Sequence, residues 1–277
     1  MFKRENLKIN LIQIYSLAVK DIKLHTRYKL EFFVEFVAPL LTIFFPYIIF
    51  STLFSINENI FNNYYSTKNY ILFLLLGYCI SCLVFLLWTY KDLFYDEKSW
   101  KTLNAVFVAP VPKFNILVGY LLSGLISKSF PLVFIVILCF ILYPIPLINL
   151  ILVLLVLFCI SLTFASMGFI LGLFEIVNED ISASLAVGIS FISLVSCVFY
   201  PIEIFPKEIH FIIRINPLYY YFDLLRLSWW AGVNYEEAMS YITIYHILIV
   251  IIFTIIAPII ASFLFYRIYS KYGSSGY

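Results

Sequence analysis

Long apolar runs separated by short polar stretches organise the whole chain. A bilayer core takes roughly 20 apolar helical residues per crossing, and runs of that kind occupy residues 36–54, 70–90, 117–143, 147–174, 181–200 and 242–266. Six transmembrane helices are therefore expected, in one all-α membrane domain over residues 1–277. The third and fourth runs exceed one crossing and must tilt, kink or protrude; Pro131 offers a kink in the third. Ahead of the first run, Leu11, Ile14, Tyr15, Ala18 and Ile22 recur at helical spacing, while Asn10, Gln13, Lys20, Lys23 and Arg27 fall mostly opposite. That pattern predicts an amphipathic interfacial helix within residues 1–33, with a flexible basic leader as the alternative. Residues 271–277, ending in "YGSSGY", read as a disordered tail.

Composition agrees with the pattern. Hydrophobic residues make up 63% of the chain and charged ones 12%, against about half and a quarter in soluble domains, so an integral membrane protein is implied. A net charge of +2 without a basic tract gives no reason to expect nucleic acid as a partner. Charges interrupt residues 1–31 too often for a cleaved signal peptide, and the first apolar run is expected to stay as an anchor. All five cysteines (Cys79, Cys82, Cys139, Cys159 and Cys197) fall inside apolar runs, which predicts neither a disulfide framework nor a metal site.

The basic residues assign sides. Lys3, Arg4, Lys8, Lys20, Lys23, Arg27 and Lys29 precede the first run, Lys91, Lys98, Lys101 and Lys113 separate the second from the third, and Arg267 and Lys271 follow the sixth. The opposite loops hold only Lys68, Lys207, Arg214 and Arg226. By the positive-inside rule both termini are cytoplasmic, in a multi-pass protein of the cell membrane. "FEIVNED" dissents, placing Glu175, Glu179 and Asp180 on the basic side without a basic residue of its own.

The loop at residues 95–117, "YDEKSWKTLNAVFVAPVPKFNIL", is neither a minimal turn nor a solvated hinge. From Asp96 to Val108 it fits about three helical turns with Trp100, Leu103 and Phe107 on one face and Lys98, Lys101 and Asn104 on another. "APVP" then stops the helix. On pattern alone this is a short amphipathic helix on the cytoplasmic surface, either functional or a cap on the bundle.

Here the sequence resembles the permeases of ABC-2 type exporters, which carry E-R/K-E-x-G-T-L-E and then a Pro between their second and third spans. "EKSWKTLN" at residues 97–104 matches at Glu97, Thr102 and Leu103, and Pro110 follows; Lys101 stands where the family has Gly, and Asn104 where it has a second Glu. "INPLYYYFDLLR", residues 215–226, is similar to the family's N-P-L-x-Y-x-V/F-D-x-x-R element, and "YPIEIFPKEI" to its P-x-x-x-L/F-P segment. The resemblance implies the permease subunit of an ATP-driven exporter for a lipid-, glycan- or drug-like amphipathic substrate. The loop at residues 95–113 would be the coupling helix docking on a separate nucleotide-binding subunit, with Glu97, Trp100, Thr102, Leu103, Phe107 and Pro110 at the contact. Residues 201–241 would hold outer re-entrant helices between the fifth and sixth spans, and a second permease copy would complete the transporter. The chain has no G-x-x-x-x-G-K-S/T phosphate loop, so ATP and Mg are expected on the partner and no cofactor here. An ion-coupled transporter or channel is the alternative.

Two charged positions are pathway candidates. Lys128 lies inside the third run, where a charge is costly and marks either a translocation route or a side chain snorkelling to the inner rim. Glu203 lies in the Pro-bracketed outer segment. The aromatic runs "NNYY", "PLYYYF" and "SWWAG" read as an outer interfacial belt, with stacking on an apolar substrate as the other use.

Overall fold

The computed structural model describes residues 2–27, 29–30, 33–34, 37, 41, 44–49, 52, 67–102, 105, 111–202 and 205–272. About half of the expected first span, 36–54, lies outside the described residues, and Leu103, Asn104, Phe107, Pro110 and Glu203 lie outside them altogether. Among the described residues the regular structure is helical throughout: α1 (Phe2–Arg27), α2 (Thr67–Val84), α3 (Leu86–Ser99), α4 (Lys113–Leu142), α5 (Leu147–Val177), α6 (Glu179–Val195), α7 (Lys207–Ile215), α8 (Pro217–Trp230), α9 (Tyr235–Tyr241) and α10 (Ile244–Tyr272).

Four of the described rods, Tyr70–Ser99, Phe114–Leu142, Leu147–Val177 and Ile244–Ile268, are long and apolar enough to cross a membrane. The expected fifth span, 181–200, overlaps α6, which ends at Val195 after 17 residues and is not among these four. The second rod is longer than the run 70–90 that predicted it. Phe85, between α2 and α3, keeps helical angles, and its N–H still reaches the Ser81 carbonyl at 3.2 Å. Leu86, Tyr90, Leu93, Phe94 and Glu97 then carry one buried face through the charged stretch to the end of α3. Asp96–Ser99 is therefore the last turn of this rod. It is not the start of a separate surface helix, as the sequence pattern implies.

The most extensive helix contact is α3 against α5. Gly168 and Gly172, four residues apart on α5, let the two backbones approach. A Cβ at Gly168 would lie 2.8 Å from Leu87 Cα and 2.9 Å from the Leu86 carbonyl oxygen, and one at Gly172 would lie 2.7 Å from the Tyr90 carbonyl oxygen. Close approach through small residues is how helices associate without a hydrophobic drive from lipid. Around it Phe94, Phe169 and Phe265 make successive edge-on contacts at 5.0 and 5.5 Å, joining α3, α5 and α10.

The segment 201–241, expected to hold re-entrant helices, carries α7, α8 and α9 among the described residues, and α8 packs on α2, α5 and α10. The aromatics of α8 correct the belt reading: Tyr221, Phe222, Trp229 and Trp230 are buried within the bundle. The "NNYY" run lies outside the described residues. The five cysteines form no disulfide.

Close packing at one glycine and open space at another give a paired test. Gly168→Ala should cost about 1–3 kcal/mol through overpacking, read as a lower Tm in detergent. Gly188, where an added Cβ would meet nothing within 4 Å, should tolerate Gly188→Ala with unchanged or raised Tm, since alanine favours helix by about 1 kcal/mol.

Candidate functional site

The end of the α2–α3 rod gathers the charged residues. Buried in the bundle, Glu97 receives Lys20 Nζ of α1 on Oε1 at 2.6 Å and the Tyr120 hydroxyl of α4 at 3.3 Å, while the Thr102 hydroxyl donates to Oε2. One carboxylate thus ties α1, α3, α4 and the turn after α3. A buried charge is tolerable when paired and hydrogen-bonded.

The turn has a specific geometry. Lys101 N–H bonds the Lys98 carbonyl at 3.1 Å and Thr102 N–H the Glu97 carbonyl at 3.0 Å, the two reversed bonds of a Schellman C-cap around Trp100. Lys101 supplies the left-handed residue that this cap requires, with φ 58°. Glycine adopts that conformation without steric cost, which explains physically the Gly that the exporter pattern has at this position. The apolar contact that usually closes the motif is replaced by the Thr102–Glu97 side-chain bond. Trp100, half exposed, and the exposed Lys101 form the outer corner.

A second ionic cluster adjoins it. Lys91 Nζ lies 3.3 Å from the buried Glu175 carboxylate, while Lys98 Nζ donates to the Glu175 carbonyl at 3.1 Å and to Glu179 Oε1 at 2.8 Å. The ammonium of Lys98 thereby sits at the C-terminal end of α5, where the helix dipole favours a cation. Glu179 and Asp180 open α6 behind the Asn178 cap, where acids are favoured. Glu175 and Glu179 of "FEIVNED" are counterions for Lys91 and Lys98, which is why that stretch needs no basic residue of its own. The hydrogen bond from Lys98 holds the exposed Glu179 carboxyl below the usual carboxylate range.

The interfacial-helix expectation needs one revision. Asn10 and Gln13, assigned to the polar side of α1, turn into the bundle instead, where Asn115 Nδ2 donates to Asn10 Oδ1 at 3.0 Å and Gln13 Oε1 at 2.8 Å. Leu11 and Tyr15 are exposed. Amide pairing with α4 turns these two polar residues inward, and no count of apolar positions reveals it.

Lys128 is buried on α4, its Nζ 6.0 Å from the centre of the Phe85 ring where α2 meets α3. That is the outer limit of a cation–π contact.

Far along the bundle, the second sequence element becomes a network. Asn216 caps α8 through the Leu218 N–H at 3.0 Å and donates to the Ile192 carbonyl at 2.8 Å and Ser196 Oγ at 2.6 Å. The Tyr221 hydroxyl joins Thr163 of α5 to the Val250 carbonyl and Thr254 of α10. Asp223 meets His246 Nε2 at 3.1 Å. Arg226 lies 3.6 Å over the Phe73 ring and donates to the carbonyls of Cys197 and Val198. Residues 12–230 match the family of ABC-2 type transporters.

The chain belongs to that family. No curated protein matches it. The match begins inside α1 and ends on the last residue of α8, so it takes in both the Glu97 corner and the Asn216–Arg226 network. As an ABC-2 type transporter chain it is a membrane protein and a transport permease. Sequence reasoning singled out Glu97 but missed Lys20, Tyr120 and the Lys91–Glu175 pair. The signal for them was charge spacing: Lys91 and Lys98 are two helical turns apart, and Glu175 and Glu179 about one.

The Schellman turn predicts that Lys101→Gly stabilises this ABC-2 permease by about 1 kcal/mol, the low end of the cost of left-handed backbone at a non-glycine residue. A Tm higher by about 2 °C in detergent would register it. The Lys98–Glu179 bond predicts a pH signature. Because the folded pKa is lowered, the stabilisation is present above the unfolded carboxylate pKa and lost as pH falls through the lowered folded value. Lys98→Gln should move Glu179 back up toward the ordinary range, followed by carboxyl NMR shifts.

Proposed function

We propose that this chain is the permease half of an ATP-driven exporter of amphipathic substrates, with six spans, both termini cytoplasmic, and a second permease copy completing the path. The corner at Trp100–Thr102 and the residues after it form the coupling segment that meets a cytosolic nucleotide-binding subunit, where ATP and Mg bind. What carries the reading is the Glu97 junction: an exposed tryptophan at a sharp turn, held by one buried carboxylate to three helices. A stiff corner of this kind passes displacement of a partner into α1, α3 and α4 together, as rigid-body rocking requires. In this reading Glu97 transmits force from inside the bundle, and Trp100 supplies the partner contact, with Leu103 and Phe107 as further contacts on the sequence pattern. α7 and α8 are the outer re-entrant pair. Pathway roles for Lys128 and Glu203 remain part of the proposal.

The test is reconstitution with the ATPase partner in nanodiscs. Trp100→Ala should weaken partner binding by more than about 1 kcal/mol, the scale of an interface hot spot, and lower substrate-stimulated ATP hydrolysis in proportion. Lys128→Ala should leave partner affinity unchanged. Normal affinity and coupling after Trp100→Ala would return the corner to a bundle cap. The pair of half-buried Asp223 and buried His246 is the feature an ion-coupled mechanism would use, and transport by the permease without any ATPase would decide for it.

A further inference from the structure

By helical register α1 shows three sides. One is docked on α4 through Asn10, Gln13 and Leu17; Leu17 Cβ lies 2.8 Å from where Gly119 would place a Cβ. A second carries Leu11, Ile12 and Tyr15, exposed by 58%, 65% and 70%. Between them runs a cationic strip of Lys20, Lys23 and Arg27 at spacings of three and four, all three exposed. An apolar strip beside a cationic one matches the layered chemistry of a leaflet, with acyl carbon against the first and phosphate against the second. A soluble anion would satisfy only the cations. Depth agrees: Lys20 meets Glu97, which follows Lys91 and Asp92, where the apolar run of the second rod gives way to charge.

Lys20 belongs to both environments. Its side chain is 46% exposed, yet its ammonium donates to the buried Glu97 at 2.6 Å. We propose that an anionic phospholipid binds at Lys20, Lys23 and Arg27 and competes with Glu97 for Lys20, so that leaflet charge sets how firmly the Glu97–Thr102 corner is held to α1. Competition for one cation makes the two events linked: whatever loosens Lys20 from Glu97 strengthens lipid binding, and the reverse. The consequence for ATP coupling rests on the function proposed for the corner. The lipid site itself does not.

The full permease without its partner, in nanodiscs of phosphatidylcholine or an equimolar mixture with phosphatidylglycerol, separates the two. Lipid retained after gentle detergent release is counted by native mass spectrometry, and hydrogen exchange is followed over residues 94–102. Phosphatidylglycerol should be retained in preference to phosphatidylcholine, and Lys23→Gln with Arg27→Gln should lower that preference about fivefold per cation. Lys20→Gln should lower it as well, whereas Glu97→Gln should raise it. Exchange over residues 94–102 should be faster in the anionic discs. Equal retention of both lipids, no effect of the Lys23 and Arg27 changes, or displacement of the lipid by soluble glycerol phosphate would each overturn the site. Unchanged exchange in anionic discs would overturn the competition. Should Glu97→Gln not fold, the unaltered protein and the two surface variants still decide the matter. Loss of ATPase coupling with these lipid results intact would count against the proposed function alone.

Discussion

The approach of α3 to α5 at Gly168 and Gly172 sets the register of everything near the charged end of the bundle. With two backbones in direct contact, neither helix can slide or rotate without a clash. That fixed register places Lys91 against Glu175 and Lys98 against Glu179, and it points Glu97 away from α5 toward Tyr120 and Lys20. Lipid supplies no hydrophobic drive between helices, so the drive here is dispersion across a close interface, with ion pairs added where the apolar stretch ends.

Charge at that end is arranged so that each buried carboxylate has a cation from another helix. Glu97 draws on α1 and Glu175 on α3. Pairs between helices distant in sequence fix tertiary arrangement in a way that pairs within one helix cannot. They also leave the outer corner with Trp100 and Lys101 exposed, while its inner residue Glu97 is held.

Toward the other end α8 does the corresponding work with an amide, a hydroxyl, one aspartate and one arginine. A short helix carries its own cap in Asn216 and a hydroxyl in Tyr221 that satisfies partners on two long helices. Arg226 closes the end of α6, where Cys197 takes a left-handed φ of 62° and backbone carbonyls would otherwise lie buried without donors. The spacing of Asn216, Tyr221 and Arg226 is thus dictated by what three neighbouring elements lack.

Hydropathy and helical period are properties of the chain alone, so the sequence by itself determined the membrane setting, the all-helical class, the long rods and the presence of α1, α7 and α8. It also marked Glu97 and the Asn216–Arg226 element, because polar residues between apolar runs stand out. Partner choice is different, since it depends on which backbones come close, and no local period encodes that. The tertiary structure alone decided that α3 continues to Ser99, that Asn10 and Gln13 face inward to Asn115, and that Trp229 and Trp230 pack inside and not at an interface. It decided, too, that Glu97 is an internal anchor: a carboxylate on an amphipathic stretch looks alike from sequence whether it faces solvent or Lys20, and only packing supplies the second charge.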